Sequence, residues 1–150
     1  MAERNAKAAW RGTLENGEGT VELGSGSCRG KYSFESRFQS GAGTNPEELI
    51  GGAHAACFSM ALAHGLEQAG YSPESIETSA KVSIEPVEGG FAITRIHLDT
   101  QGTVPDIDED EFLRQAEIAK VNCPVSKALA GAEIGVNAAL VSRTGTAATR

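Results

Sequence analysis

The feature that most constrains this fold is one long predicted helix that is apolar on nearly every side. Pro46 suits the first helical position, and the helix should continue to about Ala69. Glu67 is the only charged residue after Glu48 in this stretch. At a rise of ~1.5 Å per residue, the helix would span roughly 36 Å. A helix without a polar face must be buried in a core or packed against another chain.

The segments around this helix predict an α+β fold. Before it, a hairpin turns at residues 15–19, and a third strand carries Tyr32, Phe34 and Ser36 on one face with Arg37 opposite. After it come a second hairpin (76–85 and 91–98), a helix that starts in the acidic run 106–111, a short helix from Pro124, and a last strand (134–141).

Size and charge narrow the possible functions. A chain of 150 residues fits one domain, 1–150, with residues 142–150 as a loose tail. The net charge is −7 and no basic cluster is present, which argues against a nucleic-acid partner. The N-terminal residues show no secretory pattern, so we expect a cytoplasmic protein. The uncharged run 49–66 has too few large apolar residues to favour a membrane span over a buried or dimer-packed helix.

The three cysteines, Cys28, Cys57 and Cys123, are too few and too irregularly spaced for a disulfide framework or a CxxC zinc site. Cys123 precedes Pro124 and a helix start, where backbone N–H groups can lower the pKa of a thiol. Cys57 alone is more typical of a buried inert thiol. Cys28, in a loop of glycine and serine, has no evident activator.

Two charged residues bracket the start of the long helix. Arg37 precedes the connecting loop, and Glu47 lies in the first helical turn. An arginine beside a thiol favours the thiolate, and a carboxylate can hold the arginine by two parallel hydrogen bonds. Each residue also has a purely structural interpretation, Arg37 on a strand surface and Glu47 as a helix N-terminal acid.

Two motifs resemble a known family. Residues 43–60, Gly-Thr-Asn-Pro-Glu-Glu-Leu-Ile-Gly-Gly-Ala-His-Ala-Ala-Cys-Phe-Ser-Met, resemble the active-site helix of the OsmC/Ohr thiol peroxidases, and most of all the OsmC branch. Residues 121–129, Val-Asn-Cys-Pro-Val-Ser-Lys-Ala-Leu, resemble that family's second cysteine motif, 66 residues later. The order of elements also matches, so the similarity covers nearly the whole chain.

The resemblance implies roles for four residues. Cys57 would be the peroxidatic thiolate, Cys123 the resolving thiol, and Arg37 and Glu47 the polar clamp that activates Cys57 and orients the peroxide. It also implies an intertwined homodimer in which curved antiparallel sheets enclose the central helices. Gly52 stands where a second alanine is common in this branch, which should weaken the helix by about 0.5 to 1 kcal/mol.

The implied reaction is reduction of an organic hydroperoxide, and less well of hydrogen peroxide, through a Cys57 sulfenic acid and a disulfide to Cys123. No metal, haem or flavin cofactor is required, because a thiolate is itself a nucleophile. A dithiol then reduces the disulfide. A lipoylated protein is the family expectation, with thioredoxin-type or glutathione donors as alternatives. Four residues would suit an apolar substrate tail, or simply form core: Phe38, Ile50, Phe58 and Met60.

Helix geometry limits this arrangement. Glu47 and Cys57 are ten residues apart, which on a straight helix is roughly 15 Å. One arginine therefore cannot contact both, unless the helix bends near Gly51 and Gly52. Otherwise Glu47 acts on the partner's Cys57, in a site built at the dimer interface.

Three other functions compete with the peroxidase. His54, Cys57 and His64 could hold a metal, although His64 lies ten residues beyond His54. His54 could act as the base of a Cys/His acyl-transfer enzyme, but no oxyanion hole is marked. A non-enzymatic, stress-related binding dimer would keep its function when Cys57 is replaced by serine.

Overall fold

A computed structural model describes residues 1–141, and it has the predicted α+β composition. The chain divides into two compact units, Met1–Leu49 and the part from Ile50 onward, which we describe separately. The single domain over 1–150 stays a prediction, and the predicted tail 142–150 lies outside the described residues. The elements are β1 (Ala6–Arg11), β2 (Glu18–Leu23), β3 (Arg29–Tyr32), α1 (Phe34–Phe38), α2 (Pro46–Gln68), β4 (Ser75–Val87), β5 (Gly90–Thr103), α3 (Glu109–Asn122), α4 (Pro124–Ala128) and β6 (Glu133–Leu140).

The N-terminal unit contains an antiparallel sheet in the order β1-β2-β3, which confirms the predicted hairpin. The rings of Trp10 and Tyr32 pack with their centroids 5.4 Å apart. Gly19 lies under both rings, and a Cβ added there would lie 2.5 Å from Tyr32 and 2.8 Å from Trp10. Glycine is therefore required at this position by the close approach of the two side chains.

The third strand is shorter than predicted. Strand β3 ends at Tyr32, and residues Phe34–Phe38 form helix α1. The prediction of a strand through Arg37 is therefore wrong. The reason is a reciprocal cap: Ser33 Oγ accepts from the Ser36 N–H (3.1 Å), and Ser36 Oγ accepts from the Ser33 N–H (2.8 Å). These local bonds satisfy donors that a sheet would otherwise have paired. Arg37 consequently lies in the last turn of a helix.

The second sheet has the order β4-β5-β6. β4 and β5 form the predicted hairpin, paired from Ser75↔Thr103 to Val87↔Gly90 with an irregularity at Ser83/Ile84. β6 runs parallel to β5, whereas an antiparallel sheet was predicted. The connection from β5 to β6 passes through α3 and α4, and such a helical crossover is what parallel neighbours need.

Helix α2 confirms the predicted long helix and its start, where the Asn45 side chain accepts from the Glu48 N–H at 2.7 Å. In the C-terminal unit one stripe of α2 is fully buried: His54, Phe58, Leu62 and Leu66. The apolar members of this stripe share a core with Ile96 and Leu98 of β5 and Phe112 of α3. Burying each such large side chain is worth about 1.5–3 kcal/mol.

The opposite face of α2 is open although it too is apolar. Gly52, Ala53, Ala56 and Met60 are exposed, and Met60 retains 75% of its accessible surface. By length and composition α2 could cross a membrane, with 28% of its most apolar window buried. Its buried stripe belongs to the core cluster, as expected for a core helix in a soluble protein.

Candidate active site

The structure brings the two cysteines of the predicted redox pair together in the C-terminal unit. Cys57 is half-buried on α2, and Cys123 is fully buried between α3 and α4. The two free thiols are hydrogen-bonded to each other. This contact closes a separation of 66 residues in the sequence and allows a disulfide to form between neighbours.

The position of Cys123 follows from its local sequence. Its N–H bonds back to the Ala119 carbonyl at the end of α3, and Pro124 occupies the first turn of α4. The backbone N–H groups of Val125 and Ser126 then face the Cys123 sulfur. The predicted placement of Cys123 at a helix start is confirmed.

Burial and hydrogen bonding shift the pKa values of the two thiols in opposite directions. Burial by itself would raise the pKa of Cys123, but hydrogen bonds from Cys57, from the backbone and hydroxyl of Ser126 and from the Val125 N–H lower the pKa overall. Burial raises the pKa of Cys57, and its hydrogen bond to Cys123 raises that pKa further, while the Val125 N–H opposes both. Within this unit the thiolate is therefore favoured on Cys123.

No cation contributes to this balance. Among the described groups that shift the pKa values of Cys57 and Cys123, none carries a positive charge. If Cys57 is the attacking sulfur, its thiolate needs a cation in addition to these hydrogen bonds.

His54 lies three residues before Cys57 on α2 and is fully buried. Its Nε2 is 2.7 Å from Oγ of Ser126, which is itself 3% exposed. Within residues 1–141, Nδ1 has no hydrogen-bond partner. Burial lowers the pKa of His54, so the ring is neutral near pH 7. Ser126 was not predicted as a site residue, although it lies within the second cysteine motif.

Arg37 and Glu47 meet in the N-terminal unit, at the end of α1 and the start of α2. Arg37 Nη2 donates to Glu47 Oε1 at 2.8 Å, and Nε donates to Oε1 and Oε2 at 3.1 and 3.3 Å. The Glu47 side chain is 7% exposed and that of Arg37 is 37% exposed. The pairing of Arg37 with Glu47 is thus present as a forked ion pair, and its action on Cys57 and on a peroxide stays a prediction.

A cavity of about 200 Å³ adjoins Arg37 in the same unit. It is lined by Arg37, Ser33, Leu14 and four aromatic residues, Trp10, Tyr32, Phe34 and Phe38. The Arg37 guanidinium lies 5.2 Å from the centroid of the Phe38 ring, which suits a cation over an aromatic face. The arrangement offers one charged group at the edge of an apolar space.

The other predicted residues lie elsewhere. Of the four side chains suggested for the substrate tail, Phe38 lines this cavity, Phe58 is a core residue, Ile50 is half-buried and Met60 is exposed. Cys28 is exposed in its loop. Within residues 1–141, no group of three or more His, Cys, Asp or Glu side chains could hold a metal ion, and the proposed ligand His64 is exposed.

Comparison with known proteins gives a consistent set of relatives. A family described as OsmC-like protein matches residues 39–138. The chain is 49% identical to Peroxiredoxin OsmC of Escherichia coli strain K12 over 127 residues, which cover 84% of this chain and 89% of that protein. It is 33% identical over 92 residues to an organic hydroperoxide resistance protein of Xanthomonas axonopodis pv. citri, covering 61% of this chain and 63% of that one.

Solved structures share the fold. The crystal structure of the organic hydroperoxide resistance protein OhrB of Bacillus subtilis aligns with a TM-score of 0.71 at 27% identity, covering 89% of this chain and 97% of that one. An OsmC-like protein from Mycoplasma pneumoniae aligns with a TM-score of 0.72 at 17% identity, covering 93% and 98% of the two chains.

Proposed function

The chain belongs to the OsmC family and is a thiol-dependent peroxidase, and we propose that it reduces organic hydroperoxides with Cys57 as the attacking thiolate and Cys123 as the resolving thiol. The observation that carries this assignment is the hydrogen bond between the two free thiols. A sulfenic acid formed on one sulfur would have the second thiol already beside it.

The proposed reaction has three steps. The Cys57 thiolate attacks the terminal peroxide oxygen, the O–O bond breaks, and the alkoxide leaves as an alcohol after taking a proton. Cys123 then attacks the sulfur of the Cys57 sulfenic acid, so that the S–O bond breaks, the disulfide forms and water leaves. An external dithiol reduces the disulfide, and it is itself oxidised to a disulfide.

We assign the activating charge to Arg37. The local hydrogen bonds favour the thiolate on Cys123, so Cys57 needs a cation to become the stronger nucleophile. Glu47 holds Arg37 in a fixed orientation while part of the guanidinium remains exposed. Arg37→Ala should therefore raise the pKa of the Cys57 thiol and slow its alkylation at neutral pH, with Lys7→Ala as a control for loss of a surface charge. An unchanged pH profile of alkylation would remove Arg37 from this role.

The cavity beside Arg37 supports an organic substrate, because its aromatic lining suits an alkyl tail while the guanidinium suits the polar peroxide end. Phe38→Ala should lower kcat/KM for a bulky alkyl hydroperoxide and leave kcat/KM for hydrogen peroxide nearly unchanged. Equal losses with both substrates would contradict binding of the tail in this cavity.

Replacement of each cysteine tests the central assignment. After one equivalent of peroxide, Cys57→Ser should consume none, whereas Cys123→Ser should form one sulfenic acid per chain and no internal disulfide. Cys28→Ser, which alters an exposed loop thiol, should behave as the wild type. Mass spectrometry of the cysteine peptides distinguishes these outcomes. Peroxide consumption by Cys57→Ser would exclude this mechanism, whereas a wild-type protein that consumes no peroxide would favour the alternative of a non-enzymatic binding dimer.

We also propose that the active form is a cytoplasmic homodimer recycled by a dithiol, with a lipoylated protein as the first candidate. The exposed apolar face of α2 supports association, since it would otherwise leave Ala53, Ala56 and Met60 in water. Ala56→Glu should convert the dimer to a monomer in sedimentation. Full activity of a dilution-stable monomer would contradict a site shared between subunits. A panel of lipoyl, thioredoxin-type and glutathione donors would identify the reductant.

A further inference from the structure

We propose that His54 and Ser126 form a buried hydrogen-bond relay that positions Cys123 and stabilises its thiolate for the resolving step. Neither residue is needed to attack the peroxide, yet both are buried beside the thiol pair. The inference rests on the proposed function for the reaction that Cys123 performs, but the relay itself is testable without peroxide.

The relay joins two helices that are remote in the sequence. His54 Nε2 on α2 lies 2.7 Å from Ser126 Oγ on α4, across 72 residues of chain. The Ser126 hydroxyl in turn hydrogen-bonds to the Cys123 sulfur. His54 is 0% exposed and Ser126 is 3% exposed, so water cannot replace either residue in this hydrogen bond.

The direction of the relay follows from the donor count. A serine hydroxyl has one hydrogen, so when it donates to the Cys123 sulfur its oxygen must accept from His54 Nε2–H. The neutral ring then carries only a lone pair at Nδ1, which matches the lack of a partner for Nδ1 in the described chain. The opposite tautomer would bury an unpaired N–H instead. The hydrogen bonds therefore run from His54 to Ser126 to Cys123.

The surroundings leave this relay without a competing charge. The groups that act on Cys123 are Cys57 from α2 and Val125 and Ser126 from α4, and none of these is charged before a thiolate forms. For His54, burial alone accounts for the lowered pKa. Hydrogen bonding is thus what offsets the cost of burying a thiolate at Cys123.

The consequence is specific to the second step. Attack on the Cys57 sulfenic acid requires the Cys123 thiolate, and the departing hydroxide takes up the proton that Cys123 has lost, releasing water. Once Cys57 is oxidised, its thiol no longer donates to Cys123. The Ser126 hydroxyl then remains as a side-chain donor to the attacking sulfur.

A titration tests the relay directly. In a Cys28→Ser, Cys57→Ser background Cys123 is the remaining thiol, and its ionisation is followed by thiolate ultraviolet absorbance. Adding Ser126→Ala should move the midpoint up by about one pH unit, a tenfold loss of thiolate below it. His54→Phe should move it in the same direction, and Ser126→Thr should restore it. Ser59→Ala is the control, because it removes a half-buried hydroxyl that bonds to Thr78 at 2.7 Å.

The kinetic test uses the wild-type cysteines and rapid quenching after one equivalent of alkyl hydroperoxide. In Ser126→Ala the conversion of sulfenic acid to disulfide should slow about tenfold at neutral pH, with its pH profile shifted upward. A folded Ser126→Ala protein with an unchanged titration midpoint and resolving rate would overturn the relay. Absence of sulfenic acid on Cys57 in every variant would instead exclude the proposed peroxidase mechanism, while the titration would still decide whether the relay exists.

Discussion

Removing Arg37 should destabilise the protein more than neutralising Glu47, because only the first change leaves a buried charge without its partner. The Glu47 side chain is 7% exposed and accepts hydrogen bonds of 2.8, 3.1 and 3.3 Å from the guanidinium. In Arg37→Ala the buried carboxylate loses both of its donor nitrogens, Nε and Nη2, and with them all three hydrogen bonds. In Glu47→Gln the freed guanidinium can be solvated by water, because the Arg37 side chain is 37% exposed.

The magnitudes differ accordingly. Breaking a buried ion pair costs about 3–5 kcal/mol, and the partial exposure of Arg37 places Arg37→Ala near the lower end, at about 3 kcal/mol. Glu47→Gln retains an amide oxygen that can still accept a hydrogen bond, so the expected loss is about 1–2 kcal/mol. With a urea m value of about 1–3 kcal/mol per molar, a difference of about 1–2 kcal/mol should separate the midpoints of the two variants by roughly 0.3–2 M.

Urea unfolding followed by circular dichroism, at one fixed protein concentration, measures this difference. Lys7→Ala is the matched control, because the Lys7–Glu22 pair is 3.5 Å long with side chains 79% and 35% exposed. Loss of that surface pair should cost less than about 1 kcal/mol. A Glu47→Gln variant that is no more stable than Arg37→Ala would refute the argument from the buried carboxylate.

Three further changes test the packing and the buried histidine. Gly52→Ala should raise the free energy of unfolding by about 0.5–1 kcal/mol, because alanine favours the helix and nothing lies within 4 Å of the added Cβ. A lower free energy of unfolding, measured with urea, would contradict this. Gly102→Ala should lower the free energy of unfolding by about 1–3 kcal/mol, because its Cβ would lie 2.5 Å from the fully buried Phe112 ring; unchanged stability would disprove the clash. His54→Gln should reduce the loss of stability on acidification. Burial holds the pKa of His54 below 6.5 in the folded state, so its contribution is present above pH 6.5 and lost as the pH falls below it; an unchanged slope of stability against pH in His54→Gln would contradict this.

The elements that sequence analysis predicted well are those with local signals. Helix α2 begins at Pro46 because Asn45 caps it, and both residues are visible in the sequence. The hairpin of β4 and β5 turns at Gly89, whose φ of 86° favours glycine. In each case a few neighbouring residues decide the backbone, so no knowledge of the remaining chain is needed.

The errors occurred where two structures compete for the same residues or where distant segments pair. Phe34 and Ser36 alternate as a strand would, but the Ser33 cap stabilises a helical turn instead. The direction of β6 relative to β5 depends on the crossover through α3 and α4. The residues of β6 alone do not distinguish a parallel from an antiparallel strand.

The candidate site shows the same division. The Arg37–Glu47 pair follows from two charges that flank one loop, and the pairing of Cys57 with Cys123 was implied by the family resemblance. The contact between His54 and Ser126 was missed, because each residue by itself has a common structural interpretation. Only their approach across 72 residues of chain shows that they form a hydrogen-bonded pair.

The proposed reaction requires a different one of the two cysteines to be ionised at each step. Within the chain the pKa of Cys57 is raised by burial and by its hydrogen bond to Cys123, while hydrogen bonds lower the pKa of Cys123, so a single thiolate is favoured on Cys123. A cation within about 4–6 Å of Cys57 would favour the thiolate on Cys57 instead, since an opposite charge stabilises the charged form. The Cys123 thiol would then donate to the Cys57 thiolate, so the same hydrogen bond would support the attacking sulfur. After oxidation of Cys57, the Ser126 hydroxyl would favour the thiolate on Cys123. The proposed activation by Arg37 and the proposed resolution aided by Ser126 therefore require opposite proton positions, and the oxidation of Cys57 would separate the two steps in time.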